Sequence, residues 1–475
     1  MSEAPDSHSP DTLRAQFAAQ GQGHVFRFWD ALDAEARRRL VRQAAALDLP
    51  ALLRGFAATR AEPPRALARI EPAPVEAAPE YGGSREHFRA AGDTGDELLR
   101  AGRVGVMVVA GGQATRLGYD APKGEFPIGP ISDRTLFALQ AQKIRRLRDR
   151  YARSIPWYVM TSTATDAATR SAFERSGYYG LPKQDVFFLC QGMVPSFDFE
   201  GRIILERPDR IFENPDGHGG AIPALLTSGA LDDMARRGVD ILFYYQVDNP
   251  LVRIADPVFL GFHAQRSADA SCKVVRKRDP GEKVGVVADI DGRVGIVEYT
   301  EIDDARRNAR GPDGELLYWA GSIAIHAFGR EFLRRVAERA DILLPYHASP
   351  KAIPQVDANG QTRTSKQPNG LKLERFVFDA LPAAQRVSVV ETLREGEYAP
   401  VKNAEGSDSP ATSRQALVAL YRRWLETAGV VLPPGARALE IDHSRVDGPE
   451  DARSLGVSRA EMARDAILIE VGGGG

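Results

Sequence analysis

From residue 106 to residue 129 the chain reads VMVVAGGQATRLGYDAPKGEFPIG. The apolar start of this stretch belongs to VGVMVVA (104–110), the first strong strand pattern of the sequence. Ligands of open α/β sheets bind at the carboxyl ends of the strands, so the end of this strand is the first place to look for a site. Gly111 and Gly112 follow it directly, and glycine lets backbone N–H groups approach phosphate oxygens or a base edge closely.

Two cations, Arg116 and Lys123, come shortly after these glycines. A nucleoside triphosphate carries about four negative charges, and its transfer reactions are catalysed mainly by positioning and by stabilising charge. The stretch is not a P-loop, since it lacks the final Gly-Lys-Ser/Thr, and it lacks the Gly-x-Gly of a dinucleotide site. We therefore predict a phosphate-binding loop with Arg116 and Lys123 as catalytic cations, the alternative being an ordinary strand-to-helix turn with solvated basic residues.

Short β-branched or aromatic runs alternate with helical patterns from about residue 100. Strands that are apolar on both alternations are typical of parallel sheets covered by helices on two faces. The sequence thus predicts an α/β fold with a mixed, mostly parallel, Rossmann-like sheet, and crossover helices at 136–152 and 224–238. The predicted strands are VGVMVVA (104–110), WYVMTS (157–162), DVFFLCQ (185–191), ILFYYQVD (241–248), SCKVVRK (271–277), VGVVADI (284–290), VGIVEY (294–299) and VSVVE (387–391).

Three segments are predicted along the chain. Residues 11–58 have the apolar spacing of two or three amphipathic helices, and the Pro-rich stretch 61–83 suits an extended surface segment. A further helix is expected at 410–428, and the terminal glycines are expected to fray. The predicted domains are an N-terminal helical cap with linker (1–83), a nucleotide-binding catalytic domain (84–405) and a small C-terminal region (406–475).

Composition excludes several classes of function. The 475 residues carry a net charge of -2, which provides no global field for nucleic acid or an anionic membrane. No apolar run is long enough to cross a bilayer, and the start lacks a secretory pattern, so we expect a cytoplasmic protein. The two cysteines, Cys190 and Cys272, cannot form a disulfide framework, and we expect both to be inert core residues. Oligomeric state stays open.

Two polar residues close apolar strand runs. Asp248 follows ILFYYQV, which places a carboxylate at the same sheet edge as Gly111. Mg²⁺ prefers hard oxygen ligands and often takes only one or two carboxylates beside phosphate and water, so Asp248 is the predicted magnesium ligand. Its alternative is a turn aspartate, since Asn249 and Pro250 also suit a turn. Gln191 follows DVFFLC and can both donate and accept, as a uracil edge requires.

The string AGGQATRLG…PKG resembles the signature of the eukaryotic-type UDP-sugar pyrophosphorylases, particularly the UDP-N-acetylglucosamine pyrophosphorylases. The resemblance continues in the family's order over about residues 100–415. It includes TLFALQAQKI (135–144), MTS (160–162), QGMVPSFDFEGRIILE (191–206), PDGHGGAIPAL (215–225), VDNPLVRIADPVFLGF (247–262), VGVV (284–287), VEYTEI (297–302), PNGLKLERFVFD (368–379) and VKNAEGSDSP (401–410).

The resemblance implies a role for each matched residue. Gln191 would read uracil with the backbone of Gly111, Gly112 and Gly217, while Lys402 would neutralise phosphate and Asp248 would hold Mg²⁺. Lys372 is a weaker candidate that positions its segment. The residues matching the family's sugar site are His218, Gly285, Glu298, Tyr299, Ser322, Phe376 and Phe378.

Two of these residues depart from the family pattern, because His218 and Ser322 each stand where the N-acetylglucosamine enzymes usually carry Asn. Phe376 and Phe378, by contrast, match the aromatic residues that shape the N-acetyl pocket and favour an amino-sugar. Taken alone, FVFD would be an ordinary core segment.

These observations predict a uridylyltransferase that joins UTP to a sugar 1-phosphate, with N-acetylglucosamine 1-phosphate as the expected sugar substrate and Mg²⁺ as cofactor. An enzyme for glucose 1-phosphate, or one of broad sugar specificity, is the nearest alternative. A glycosyltransferase would normally need a DxD carboxylate pair, where this chain has VDN. A non-catalytic nucleotide-sugar binder is the remaining alternative.

Overall fold

The computed structural model describes residues 9–61, 69–432, 438–454 and 466–469. The chain forms two compact units. The first, which we call the hairpin unit, takes its residues from within 1–66, 191–223 and 339–380. The second, the sheet unit, takes its residues from within 67–190, 224–338 and 381–475. These units follow other boundaries than the predicted three segments, because two stretches from the middle of the chain pack with the N-terminal helices.

The α-helices of the described residues are α1 (Pro10–Ala19), α2 (Ala34–Ala45), α3 (Leu49–Ala61), α4 (Arg85–Arg100), α5 (Leu136–Tyr151), α6 (Asp166–Arg175), α7 (Ala221–Thr227), α8 (Ala230–Arg237), α9 (Pro257–Gln265), α10 (Asp304–Asn308), α11 (Arg330–Ala337), α12 (Ala340–Leu343), α13 (Arg394–Glu397), α14 (Pro410–Thr427) and α15 (Pro449–Ser454). The two or three helices predicted within residues 11–58 are confirmed as three, α1 to α3, and the helix predicted at 410–428 is confirmed as α14.

The strands are β1 (Ile70–Pro72), β2 (Val104–Val109), β3 (Trp157–Thr161), β4 (Val186–Cys190), β5 (Met193–Pro195), β6 (Leu205–Arg207), β7 (Arg210–Ile211), β8 (Glu213–Pro215), β9 (Ile241–Gln246), β10 (Ala270–Arg276), β11 (Val286–Ile290), β12 (Arg293–Val297), β13 (Ala320–Gly329), β14 (His347–Lys351), β15 (Gln355–Val356), β16 (Thr362–Arg363), β17 (Gly370–Glu374), β18 (Val387–Glu391), β19 (Ala438–Ile441) and β20 (Ala466–Ile469).

Ten of these strands form the central sheet of the sheet unit. Seven of them follow the order β1-β11-β13-β9-β2-β3-β4, and β10, β12 and β18 lie off this path, with β12 paired with β11. The four strands from β9 to β4 are parallel to one another. Beyond them β13 runs antiparallel to β9, while β10 pairs with both β13 and β18. The predicted α/β fold with a mixed sheet is confirmed. Its parallel half contains β2, which leads into residues 111–124, the stretch that we call the glycine loop.

Both faces of the central sheet are covered, which explains the apolar sequences of its strands. On one face Val106 and Val108 belong to a core that also contains buried residues of α4, α5, α9 and α14. On the other face Tyr158 donates to Asp233 of α8, and Phe328 stacks on Phe332 of α11. Because α14 lies in this core, the C-terminal part of the chain packs as part of the sheet unit.

Several predictions of local structure differ from the structure. The predicted helix 224–238 is interrupted, since Gly229 adopts φ +76° and separates α7 from α8. The predicted surface segment contributes β1 to the sheet and a bridge from Glu76 to Val390, while residues 62–68 lie outside the described residues. The terminal glycines also lie outside them. Cys272 is buried as expected, but the expectation for Cys190 is wrong, because this residue ends the edge strand β4 and is exposed.

The hairpin unit has its own core. Leu40 of α2 and Phe56 of α3 pack with Phe197, Leu205 and Val356. Its strands form four antiparallel pairs, β5 with β8, β6 with β7, β14 with β17 and β15 with β16. Two of these pairs flank the PDGHGG loop (215–220), since β8 leads into it and β17 precedes the FVFD segment that packs on it.

No helix of the described residues combines the length and the apolarity that a bilayer crossing requires.

Candidate active site

The loop after β2 folds back on itself. The N–H of Lys123 donates to the carbonyl of Gly112 at 3.0 Å, and the N–H of Ala114 donates to Ala121 at 3.0 Å. A Cβ atom at Gly112 would meet no heavy atom within 4 Å, so the space beside this backbone is open. A Cβ at Gly124 would lie 2.1 Å from the Phe137 ring, so this glycine of the PKG motif is required by packing. The glycine loop therefore returns Lys123 to the end of β2.

Gly111 is held from the neighbouring strand. The Ser162 hydroxyl, directly after β3, donates to the Gly111 carbonyl at 2.7 Å and lies 3.1 Å from the Thr165 hydroxyl. The MTS match therefore has a physical role that the sequence did not reveal: Ser162 fixes the start of the glycine loop.

Lys123 and Asp248 meet at the carboxyl edge of the sheet. Their strands β2 and β9 are parallel neighbours, with Val109 opposite Gln246, so the residues that follow both strands lie together. The Lys123 Nζ is 3.1 Å from the Asp248 Oδ2, and the side chains are only 17% and 12% exposed. The sequence prediction that the loop and this carboxylate share an edge is supported by this ion pair.

Lys402 reaches the same edge from the other end of the chain. The N–H of Val401 donates to the Asp248 carbonyl at 2.8 Å, and the Lys402 Nζ lies 3.3 Å from the Tyr398 hydroxyl. Burial opposes the charged form of Lys402, but Tyr398 and Asp248 outweigh it and raise the pKa of Lys402 above its usual value. Lys402 is therefore a cation at neutral pH beside Asp248.

Arg116 has a different setting. It lies in a short 3-10 turn, Thr115–Leu117, that ends at Gly118 with φ +71°. The side chain is exposed, and no acidic side chain in the part of the chain that the structure describes forms an ion pair with it. Its charge is available to an anionic ligand.

Three of the predicted sugar-site residues lie together in the sheet unit. The N–H of Ser322 donates to the Gly285 carbonyl at 2.8 Å, and a Cβ at Gly285 would lie 3.1 Å from a carboxylate oxygen of Glu298. Tyr299 follows Glu298 in the chain and is 39% exposed. Because β13 is antiparallel to β9, Ser322 lies toward the edge at which β9 ends.

The other predicted sugar-site residues form a ring cluster in the hairpin unit. His218 stacks on Phe376, with centroids 5.3 Å apart and an interplanar angle of 19°, and lies 5.7 Å from the Phe378 ring. His347 also stacks on Phe376, with ring centroids 4.3 Å apart. The Nε2 of His347 lies 2.8 Å from an oxygen of Asp379. We call these five residues, His218, His347, Phe376, Phe378 and Asp379, the ring cluster.

His218 is held in one tautomer. The N–H of Val377 donates to the His218 Nδ1 at 3.2 Å, so the neutral ring carries its proton on Nε2 and offers a donor there. Burial and the nearby His347 lower the pKa of His218 to about 4, which keeps the ring neutral at physiological pH. The Asn of the related enzymes could both donate and accept, so His218 changes the chemistry available at this position.

The glycines of the PDGHGG loop let it approach the FVFD segment. Gly217 has φ +74°, and a Cβ there would lie 2.5 Å from the Arg375 carbonyl oxygen. The N–H of Gly219 donates to the same carbonyl at 2.8 Å. Gln191 joins this region through its neighbour, because the N–H of Asp216 donates to the Gly192 carbonyl at 3.1 Å. The hairpin unit therefore brings Gln191, Gly217 and His218 close in space.

Two further charged pairs brace this part of the hairpin unit. Asp216 lies 3.2 Å from Arg375, which also stacks over Tyr346. Burial raises the pKa of Asp216 to about 6, although Arg375 opposes the shift. Lys372 pairs with Glu374 at 2.8 Å within one strand, an arrangement consistent with its predicted positioning role. The sequence had not indicated the Asp216–Arg375 pair.

The donor set at Asp248 fits a magnesium ion that is shared with a nucleotide. The described residues contain no group of three or more His, Cys, Asp or Glu side chains that could hold a metal by themselves. Mg²⁺ often takes only one or two carboxylates and completes its octahedron with water and substrate phosphate oxygens. The single carboxylate of Asp248, paired with Lys123, provides too few ligands for a closed metal cage, so water and phosphate oxygens would complete the coordination of such an ion.

A family model described as UTP–glucose-1-phosphate uridylyltransferase matches residues 68–431 of this chain. The chain belongs to this family. The match begins before β1 and ends after α14, so it spans the glycine loop, Asp248 and Lys402 as well as the PDGHGG loop and the ring cluster.

Individual members of this uridylyltransferase family are similar over most of the chain. The human UDP-N-acetylhexosamine pyrophosphorylase-like protein 1 is 41% identical over 438 residues, covering 89% of this chain and 86% of the human protein. The UDP-N-acetylglucosamine pyrophosphorylase of Saccharomyces cerevisiae is 39% identical over 350 residues, or 72% of this chain and 73% of the yeast protein.

A solved structure of the family agrees in fold. The crystal structure of the uridine diphosphate N-acetylglucosamine pyrophosphorylase from Trypanosoma brucei, in complex with an inhibitor, gives a TM-score of 0.85 at 27% identity. It covers 98% of this chain and 99% of the other. The predicted family and fold class are therefore confirmed.

Proposed function

We propose that this protein is a uridylyltransferase that joins UTP to a sugar 1-phosphate, giving a UDP-sugar and pyrophosphate, with N-acetylglucosamine 1-phosphate as its substrate. The family to which the chain belongs carries the reaction class. The single structural observation that carries the proposal is the charge cluster at the end of β9, where Asp248 lies 3.1 Å from Lys123 and Lys402 follows the residue bonded to the Asp248 carbonyl.

The transfer needs no covalent intermediate with the enzyme. A phosphate oxygen of the sugar phosphate, ionised at neutral pH, forms a new bond to the α-phosphorus of UTP while the bond from that phosphorus to the bridging oxygen of pyrophosphate breaks. No proton has to be removed from the attacking oxygen, so no general base is required. The chain's contribution is to bind, align and neutralise two anions.

Lys123, Lys402 and Arg116 are the cations that this step uses. Lys123 and Lys402 are partly buried, and charge interactions are stronger away from water. Exposed Arg116 lies on the turn of the glycine loop and is free to fold onto a phosphate group. Asp248 would hold the Mg²⁺, and the bound ion would supply Lewis-acid stabilisation of phosphate charge.

The ring cluster and the named relatives both favour an amino-sugar. The relatives at 35–41% identity are named for N-acetylglucosamine or N-acetylhexosamine. Phe376 and Phe378 provide apolar surface of the kind that accommodates an acetyl group, and the neutral His218 provides one N–H donor. In the hairpin unit, Gln191 and the backbone of Gly217 are proposed to contact uracil. In the sheet unit, the backbone of Gly111 and Gly112 is proposed to contact uracil, and Gly285, Glu298, Tyr299 and Ser322 are proposed to contact the sugar.

The test is a panel of sugar phosphates. The purified protein is incubated with UTP and Mg²⁺ and, in parallel, with N-acetylglucosamine 1-phosphate, N-acetylgalactosamine 1-phosphate and glucose 1-phosphate, and pyrophosphate release is measured. We expect the highest kcat/KM with N-acetylglucosamine 1-phosphate, and no release without added divalent ion. Preference for glucose 1-phosphate would select the alternative substrate class. The absence of release with every sugar would favour a nucleotide-sugar binder.

Two expectations stay predictions beside this proposal. The cytoplasmic location rests on sequence patterns alone, and magnesium rests on the chemistry of Asp248.

A further inference from the structure

The segment that carries Lys402 has no helix or strand of its own. Residues 398–402 follow α13 as an irregular chain, although Tyr398, Pro400 and Val401 are buried. Buried backbone groups need hydrogen-bond partners, and here no neighbouring strand supplies them. Side chains and the backbone carbonyls of Arg394, Asp248 and Asp408 supply them, which ties the position of Lys402 to a few identifiable contacts. We call this stretch, together with Glu397 at the end of α13, the Lys402 segment (residues 397–402).

Asn249, the residue after the predicted metal ligand, makes the central contact. Its Nδ2 donates to the Glu397 carbonyl at 2.7 Å, and its Oδ1 accepts from the N–H of Ala399 at 3.2 Å. The same oxygen accepts from the N–H of Leu251 at 3.3 Å, and the residue is only 4% exposed. One amide thus donates to and accepts from alternate residues of the Lys402 segment, as a neighbouring β-strand would.

Two further bonds set the same register. The N–H of Val401 donates to the Asp248 carbonyl at 2.8 Å, and the Ser413 hydroxyl of α14 donates to the Ala399 carbonyl at 2.8 Å. Residues 248 and 249 therefore hold residues 397, 399 and 401 in succession. Lys402 comes next, and its own N–H donates to the Asp408 carbonyl at 2.7 Å, so these bonds together set its distance from the Asp248 carboxylate.

We propose that Asn249 is a positioning residue for Lys402: its buried amide holds the Lys402 segment on the loop after β9, so that the Lys402 cation and the Asp248 carboxylate act on the same phosphate group. The inference rests on the proposed function, because the role of Lys402 is charge neutralisation in uridylyl transfer. Misplacing a catalytic group by about 1 Å can lower turnover about 100-fold. Loss of the Asn249 hydrogen bonds should therefore have a measurable effect on kcat.

The test is a double-mutant cycle on pyrophosphate release. Asn249→Ala, Lys402→Ala and the double variant are compared with the wild type at saturating substrates. If Asn249 acts through Lys402, Asn249→Ala lowers kcat about 10-fold or more, and the double variant stays within about 2-fold of Lys402→Ala alone. Equal fold losses from Asn249→Ala in both backgrounds overturn the proposal, as does an unchanged kcat in Asn249→Ala.

Asn369 provides the matched control. In the hairpin unit its amide accepts from the N–H of Ile353 at 2.7 Å and donates to the Ile353 carbonyl at 2.9 Å, so it makes the same kind of two-way backbone contact. We expect Asn369→Ala to lower the midpoint of thermal unfolding. If it also lowers kcat, the fold-loss should be the same in the wild type and in Lys402→Ala. Coupling of equal size at Asn369 would show a general effect of lost stability and would overturn the proposal.

Two measures keep the outcomes distinguishable. If Asn249→Ala does not fold, Asn249→Ser, which keeps one hydrogen-bonding group, enters the same cycle. If the wild type releases no pyrophosphate with any sugar phosphate, the proposed function fails. The UTP affinities of the wild type and the three variants are then measured by calorimetry and compared in the same cycle. Non-additive losses of UTP binding free energy then support the positioning of Lys402 by Asn249, and additive losses overturn it.

Discussion

The charge cluster of the sheet unit and the ring cluster of the hairpin unit are built from different materials. At the end of β9, charged side chains that follow neighbouring strands come within ion-pair distance of one another. In the ring cluster, two imidazoles and two phenyl rings pack together, and the PDGHGG loop that carries His218 is hydrogen-bonded to the backbone of Arg375, the residue before Phe376. The charge cluster is suited to binding the phosphate groups that every UDP-sugar reaction shares. The ring cluster is suited to the shape of a particular sugar.

The departures from the family's pattern agree with this difference. Arg116, Lys123 and Asp248 keep the residue types that the resemblance requires. His218, by contrast, replaces an amide with a ring whose Nδ1 is already occupied by the Val377 N–H. Changes in the charge cluster should therefore alter turnover for every sugar alike, whereas changes in the ring cluster should alter the choice among sugars.

The largest expected effect comes from removing one member of the Lys123–Asp248 pair. Lys123→Ala and Asp248→Ala should each lower kcat/KM by about 100-fold or more, because electrostatic stabilisation by one such group is worth several kcal/mol. The loss should be the same for N-acetylglucosamine 1-phosphate and glucose 1-phosphate. Pyrophosphate release with both sugars measures it.

Lys366→Ala is the control for this prediction, since Lys366 is an exposed lysine of the hairpin unit. Its turnover should match that of the wild type. Near-normal turnover in both Lys123→Ala and Asp248→Ala, with folding intact by circular dichroism, would contradict the assignment of the charge cluster to catalysis.

A smaller effect is expected from His218→Asn, which restores the residue usual in the N-acetylglucosamine enzymes. Asn can donate and accept where His218 only donates, so the preference for N-acetylglucosamine 1-phosphate over glucose 1-phosphate should rise about 10-fold. The ratio of the two kcat/KM values measures this preference. The KM for UTP should change little.

The matched control is His87→Asn, because His87 is an exposed residue of α4 in the sheet unit. It should leave the ratio unchanged. A His218→Asn variant that loses activity equally with both sugars would place His218 among the general catalytic groups and remove the distinction between the two clusters.

The sequence predicted that the glycine loop and Asp248 lie together because this geometry follows from topology, whereas Lys402 was assigned by resemblance alone. Apolar runs identified β2 and β9, and parallel neighbours bring their carboxyl ends together, so Gly111 and Asp248 had to share an edge. The longest strand, β13, was missed. Its sequence AGSIAIHAFG is rich in small residues with weak strand preference, and pairing with β9, β10 and β11 determines its conformation.

The contacts that position the site were harder to predict. Ser162 and Asn249 act through side-chain hydrogen bonds to backbone atoms that are distant in sequence. Ser162 bonds to Gly111, and Asn249 bonds to Glu397 and Ala399. No local pattern encodes such partners. The ring cluster was predicted only in part. His218, Phe376 and Phe378 were identified by resemblance, while His347 and Asp379 belong to it through tertiary packing.

The smallest expected effect is a change in the pH dependence of stability at His218. Burial and His347 lower the pKa of His218 to about 4 from 6.5, so the unfolded chain binds a proton that the folded chain does not bind between these values. The free energy of unfolding therefore falls as the pH decreases below about 6.5, and this loss is complete near pH 4. His218→Asn should remove it.

Chemical denaturation at pH 7 and pH 6 measures the difference between the wild type and His218→Asn. The wild type should lose more stability over this step than the variant, by less than about 1 kcal/mol, because the unfolded histidine is only partly protonated at pH 6. His263 is buried with a pKa also lowered to about 4, and it is present in both proteins, so its contribution cancels. Equal losses in both would mean that His218 is as accessible to protons as a surface histidine, and the ring cluster would then be an open surface.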